Sequence, residues 1–94
     1  MRDNAYICGQ FLWTGIDFLG ECRGWPVRIS QAGMLDLAGY PKTLFYQRKA
    51  LWSNEPFVQL AAGGEHPWEQ NAQAWLGKPG ETRTVTAYTN CPEA

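Results

Sequence analysis

The chain has 94 residues, 45% of them hydrophobic, with eight Lys plus Arg against nine Asp plus Glu and a formal net charge of −1. This length suits one small domain, which buries only a limited share of its surface. The near-balance of charge leaves no basic field for phosphates, so nucleic acid is not expected as a partner, and no run approaches the ~18 apolar residues that a membrane span needs.

In chain order, Met1-Arg2-Asp3-Asn4 lacks the apolar core of a signal peptide, so the sequence carries no address of its own. Ala5 to Trp13 follows as a near-continuous apolar run (Tyr6, Ile7, Cys8, Phe11 and Leu12), interrupted only by Gly9 and Gln10. That pattern predicts a strand covered on both faces, as in a parallel sheet or barrel. Thr14-Gly15 marks a sharp exit into a loop that carries Asp17, Glu21 and Arg23.

A short apolar stretch from Gly33 to Gly39 surrounds Asp36, and Gly39-Tyr40-Pro41 sets up a helix with Pro41 in its first turn. At about 100° per residue, Leu44, Phe45, Leu51 and Trp52 share one helix face. Arg48 falls on the same face. A buried guanidinium needs a carboxylate or carbonyl partner, and Asp36 is a candidate. Ser53-Asn54-Glu55-Pro56 ends the helix, because Pro disfavours helix at the residue before it. Phe57 to Ala61 reads as a short strand, and the polar stretch from Gly63 to Gln73 as a connector. Lys78-Pro79-Gly80-Glu81 matches a type II turn, and it leads into a β-branched strand over Thr82 to Thr89.

The three cysteines, Cys8, Cys22 and Cys91, are odd in number and have no CxxC spacing, and the chain's one His is His66. Buried free thiols are the expectation; no metal site and no cofactor is expected. One parallel strand with its helix leaves both strand edges open, and one β-strand is not a sandwich. The elements therefore call for partners that the pattern does not supply.

Three blocks carry a resemblance. Ile7-Cys8-Gly9-Gln10-Phe11-Leu12-Trp13-Thr14-Gly15-Ile16-Asp17-Phe18-Leu19-Gly20-Glu21 resembles the eighth barrel strand and following loop of family-2 glycoside hydrolases, in their bacterial β-galactosidase branch. Gly33-Met34-Leu35-Asp36-Leu37-Ala38-Gly39-Tyr40-Pro41-Lys42 is similar to that family's approach to the last barrel helix. Gly77 to Glu81 with Val85 to Asn90 is similar to the first strand of the immunoglobulin-like domain behind the barrel.

The fold class that the resemblance implies is an α/β fragment: the last strand, loop and helix of a (β/α)8 TIM barrel, then a linker and the first strand of an Ig-like β-sandwich. The corresponding boundaries are 1–54 for the last β/α unit, 55–77 for the linker and 78–94 for the incomplete sandwich. The implied chemistry is retaining hydrolysis of a terminal β-glycoside by two carboxyl groups. The family places those glutamates on the fourth and seventh barrel strands, so no catalytic residue is expected within this chain.

What the resemblance leaves here is part of a sugar subsite. Trp13 would lie at the C-terminal rim of its strand, where barrel active sites form, with its indole against the cleaved sugar and a cis peptide to Thr14. The plainer reading of Trp13 is a core aromatic. Asp17 either binds sugar hydroxyls or fixes its loop through backbone N–H groups, and Glu21 is either a substrate contact or a solvated loop carboxylate. Asp17 and Glu21 share one loop and are not read as a general acid/base pair.

His66 reads as a surface residue of the connector, and Trp68 and Trp75 as a seal between barrel and following domain. Cys22 departs from the family pattern, which has Pro at that position, and the loop to Trp25-Pro26 is shorter than the family's. The expected partners are a β-galactoside-like carbohydrate and, at the open strand edge, the remainder of a parent enzyme or another chain. Against this stands a stand-alone carbohydrate-binding or strand-pairing module without catalysis, which an exposed strand edge would suit.

Overall fold

A computed structural model describes residues 4–62, 78–82 and 84–93. Within them the chain is α/β, in the order β1 (Phe18–Leu19), β2 (Ile29–Ser30), α1 (Thr43–Trp52), β3 (Val58–Ala62) and β4 (Val85–Thr89). His66, Trp68 and Trp75 lie outside the described residues.

The predicted buried strand over Ala5 to Trp13 is not formed. Its backbone makes a turn, with Ile7 N donating to the Asn4 carbonyl at 3.0 Å, and then runs without regular structure. Tyr6 and Phe11 are exposed, Phe11 fully. The physical reason lies in the prediction itself. A run that is apolar on both faces becomes a strand by pairing at two edges and being covered on two sides, and no described segment lies alongside it.

Order begins at Thr14. The Thr14 amide donates to the Ala32 carbonyl at 3.3 Å, Met34 N to the Thr14 carbonyl at 3.1 Å, Leu35 N to the Gly15 carbonyl at 3.0 Å and Asp17 N to the Leu35 carbonyl at 2.9 Å. These bonds lay segment 14–17 beside 32–35, with a parallel bridge between Ile16 and Leu35. Between the two segments the loop folds back on itself. There β1 pairs antiparallel with β2, Phe18 opposite Ser30 and Leu19 opposite Ile29, and the tip carries a cis peptide between Trp25 and Pro26.

The approach to the helix is a tight reversal built on Asp36. Its Oδ1 accepts from Ala38 N at 2.9 Å and Tyr40 N at 2.8 Å, an Asx-type arrangement that satisfies amides the turn would leave open. Gly39, at φ +86°, sits where a side chain would be strained. Helix α1 then starts after Lys42, so Pro41 lies just ahead of the first turn and bridges Leu35 instead.

Asp36 is therefore not the partner of Arg48. Its carboxylate is held by its own turn, while the Arg48 guanidinium lies 5.8 Å from the Trp52 ring centroid and reaches the Gln10 side-chain carbonyl only at 3.5 Å. The Arg48 Nε is buried without a hydrogen-bond partner among the described residues.

Behind the helix, β3 and β4 pair antiparallel over five positions, from Val58 opposite Thr89 to Ala62 opposite Val85, and α1 packs against β4. Strand β3 thus falls inside the 55–77 stretch read as linker. The turn ahead of β4 has the expected geometry: Gly80 is at φ +88° and Glu81 N donates to the Lys78 carbonyl at 3.1 Å, as a type II turn requires. Burial pushes the Tyr88 phenol above its ordinary pKa.

Asn90 ties the helix exit to β4. Its Oδ1 accepts from Phe57 N at 3.1 Å, and its Nδ2 donates to the Ser53 carbonyl at 2.9 Å and the Glu55 carbonyl at 2.8 Å. Replacing Asn90 with Ala removes all three bonds and leaves part-buried backbone groups unmatched. A loss of about 1–3 kcal/mol of unfolding free energy is expected, read as a lower denaturant midpoint. An unchanged midpoint would mean that water replaces these bonds at no cost.

The core is small. Among the described residues Ala61 is the buried hydrophobic, and no large side chain is fully enclosed. One face of the β3–β4 pair shows the pattern well. Val58, Leu60 and Val85 point away from the more buried Gln59, Ala61 and Tyr88 and stay exposed. An apolar sheet face of this kind ordinarily packs against another layer.

Candidate functional site

Trp13 stands at the end of the unpaired run, one residue before the backbone becomes ordered. Trp13 is 75% exposed, so the described residues do not enclose it as a core aromatic. The Phe18 ring meets it edge-on at 6.1 Å, a favourable aromatic geometry that limits its freedom. The Trp13–Thr14 peptide is cis, as the resemblance implies.

An open cleft of about 380 Å³ lies beside this indole, lined by Trp13, Glu21, Arg23, Ile29, Gln31 and Leu44 among others. An aromatic face with a few polar groups is the usual make-up of a small-molecule site. Glu21 reaches the cleft from the turn that follows β1, where Gly20 and Glu21 both have positive φ, +93° and +46°. A non-glycine residue in the left-handed region is uncommon and points to a conformation set by its surroundings.

Asp17 is not on that wall. It is 6% exposed, and its Oδ1 accepts from Gly33 N and from Lys42 Nζ, each at 2.8 Å. Lys42 is 3% exposed and its Nζ donates also to the Gln31 carbonyl at 2.8 Å. Of the two readings of Asp17, these contacts are those of the loop-fixing one. The pair clamps residues 31–33 against residues 16–17, and so holds the wall that faces Trp13. Such a buried pair is maintained only when its remaining hydrogen-bonding capacity is used, as it is here by Gly33 and Gln31. The structure thus brings Trp13 and Glu21 together at the cleft and places Asp17 behind it.

Sequence reasoning missed Lys42, although a signal was present. Lys42 occupies the N-cap of α1 and makes no capping bond from its side chain. Ser, Thr, Asp or Asn is preferred there, and a cation opposes the helix dipole. A residue that breaks a local rule is a candidate for a tertiary role. Arg23 has no comparable signal beyond its place in the loop.

Comparison with known proteins supports the same direction. The chain is 44% identical to Beta-galactosidase BoGH2A of Bacteroides ovatus over 62 residues, 64% of this chain and 7% of that protein. It is 35% identical over 97 residues to a protein of Formosa agariphila provisionally named as a beta-glucuronidase, covering 99% of this chain and 9% of the relative. A second such protein of the same organism is 34% identical over 92 residues, 90% of this chain and 10% of the relative. The chain therefore spans a tenth or less of the length of these relatives. No family model and no solved structure matches it. The resemblance to family-2 glycoside hydrolases stands, as a local match.

Proposed function

We propose that this chain is a segment of a retaining β-glycosidase of the family-2 type, acting on terminal β-linked sugars, and that it supplies sugar-binding surface and not the catalytic pair. The observation that carries the reading is the exposed Trp13 on the wall of a cleft, in a chain similar over 64% of its length to a β-galactosidase. An indole face packs against the C–H face of a pyranose, and Glu21 in the same cleft accepts hydrogen bonds from sugar hydroxyls. Asp17 and Lys42 keep the opposite wall in place.

In this reading residues 1–54 are the last β/α unit of a (β/α)8 barrel. The run through Trp13 becomes a strand when neighbouring barrel strands cover it. The stretch read as linker, 55–77, leads to a β-sandwich whose incomplete first part is 78–94 together with β3, the strand paired with it. The uncovered apolar face of β3 and β4 supports that assignment, since it would pack on the second sheet. The two carboxyl groups of the reaction belong to other strands of the parent fold. The chain's partners are then a β-galactoside-like carbohydrate and the remainder of the enzyme.

Two measurements test this. The pure chain is expected to give no turnover of a chromogenic β-galactoside; turnover would place the nucleophile inside these residues and overturn the assignment. Trp13→Ala is expected to abolish sugar-dependent changes in the tryptophan fluorescence while leaving the far-UV circular dichroism as it was, because the side chain is mostly exposed. Equal sugar responses from both proteins would remove Trp13 from the subsite.

A further inference from the structure

Far from the cleft wall, the guanidinium of Arg48 is left with its hydrogen bonding incomplete. Its Nε is buried with no partner among the described residues, and its Nη1 reaches Gln10 Oε1 only at 3.5 Å, the outer limit of a hydrogen bond. The Trp52 ring attracts the cation from 5.8 Å but offers it no acceptor atom. Asp36 is committed to its own turn and Asp17 to Lys42, and no carboxylate among the described residues pairs with Arg48. A buried donor on a charged group costs stability unless it is matched. The Gln10 contact shows where the match has to come from. Gln10 belongs to the run over residues 5–13, whose edges no described segment pairs, so Arg48 stands at the seam between α1 and that open run. Lys49, the next cation on the helix, lies 4.8 Å from the Phe57 ring centroid, which leaves Arg48 as the cation at the seam.

We propose that Arg48 is a docking anchor that receives the carboxylate of an Asp or Glu carried by the neighbouring segment of the parent enzyme, the one that closes the edge of the 5–13 run. The inference rests on the reading of the chain as part of a longer barrel. These residues match a tenth or less of each relative, so the parent has ample chain for such a neighbour. A carboxylate suits the site better than a backbone carbonyl. The Nε and one Nη of a guanidinium form a planar fork that matches two carboxylate oxygens with parallel hydrogen bonds. A single carbonyl would satisfy Nε and leave the charge without a counter-ion. Trp52, more than half exposed, borders the same seam. Covering it with the incoming segment would exclude water from the pair and strengthen it.

The test is thermal unfolding of the intact parent enzyme at about pH 8 and about pH 5, both above the ordinary carboxyl range. Wild type, Arg48→Gln and Arg48→Lys are compared, with turnover of a chromogenic β-glycoside measured alongside. Gln can still donate to a carbonyl but carries no charge, whereas Lys keeps the charge. Arg48→Gln is expected to lower the midpoint by on the order of 5 °C at the higher pH. The stranded carboxyl is then buried and unpaired, which raises its pKa. It therefore takes up a proton as the pH falls, and the deficit should shrink to less than half; Gln10 and Trp52, the described contacts of Arg48, have no titratable group. Arg48→Lys should keep most of the wild-type midpoint at both pH values. Should Arg48→Gln fail to fold at the higher pH, folded Arg48→Lys supports the need for charge and its failure overturns it. A deficit equal at both pH values, or no deficit, means that a carbonyl or water faces Arg48 and overturns the proposal. So does the same pH-dependent loss in the 94-residue chain alone, which would put the carboxylate within it, or a dimer of that chain that Arg48→Gln dissolves. An intact enzyme with no β-glycoside turnover overturns the parent reading instead, whatever the midpoints show.

Discussion

Gly33→Ala is expected to destabilise the ordered part of the chain as strongly as any single methyl group can. A Cβ at this position would meet the Asp17 backbone nitrogen and the Ile16 carbonyl carbon closer than any real contact, and would stand 2.7 Å from Asp17 Oδ1. Two of these atoms are backbone and cannot swing away. The third belongs to the carboxylate that Lys42 and Gly33 hold. Relief requires segment 32–35 to move off segment 14–17, which stretches the backbone hydrogen bonds joining them. Overpacking of this kind costs about 1–3 kcal/mol and occasionally more, and the position offers no way to relax. The φ of Gly33 lies outside the left-handed region, so space is the whole argument. Gly15→Ala is the matched control, since a Cβ there meets nothing within 4 Å. Urea unfolding of both variants decides the matter: a large fall in midpoint is expected for Gly33→Ala alone, and equal midpoints would mean that the two segments are not packed as described.

The parts of the fold that were legible in the sequence are those whose causes are local. The helix after Gly39-Tyr40-Pro41 and the strand after Lys78-Pro79-Gly80-Glu81 follow from residues that limit their own backbone, and the type II turn follows from one glycine that supplies the positive φ. The run from Ala5 to Trp13 was read as a strand from its composition. Strand formation, however, is a property of the neighbours, and none of the described residues pairs with it. Arg48 shows the same limit on a smaller scale. The helix was legible, but Leu51 and Trp52 of the face read for it stay exposed, and the distance of Arg48 from Asp36 depends on a turn that uses the Asp36 carboxylate itself. For the candidate site, the resemblance singled out Trp13, Asp17 and Glu21; the structure sets Trp13 and Glu21 on one cleft and holds Asp17 in a buried contact away from it. The contact between Asp17 and Lys42 spans 25 residues, a separation that periodicity does not encode.

That contact carries the largest energetic expectation. Lys42→Met keeps much of the aliphatic stem and removes the ammonium, leaving an Asp17 carboxylate whose side chain is 5% exposed with no cation beside it. Breaking a buried pair from one side costs about 3–5 kcal/mol, because the remaining charge is neither solvated nor paired. The Gln31 carbonyl loses its donor in the same change. The variant should therefore unfold at a markedly lower urea concentration and lose the defined cleft wall, so that sugar binding falls along with stability. Adding Asp17→Asn should recover much of the loss. The neutral amide keeps an oxygen that can accept from Gly33 N, and no unpaired charge remains. This non-additivity is the signature of direct coupling. If Lys42→Met proved neutral, or if the second change deepened the defect by its own full cost, the two residues would be acting independently. The wall opposite Trp13 would then need another explanation for its position.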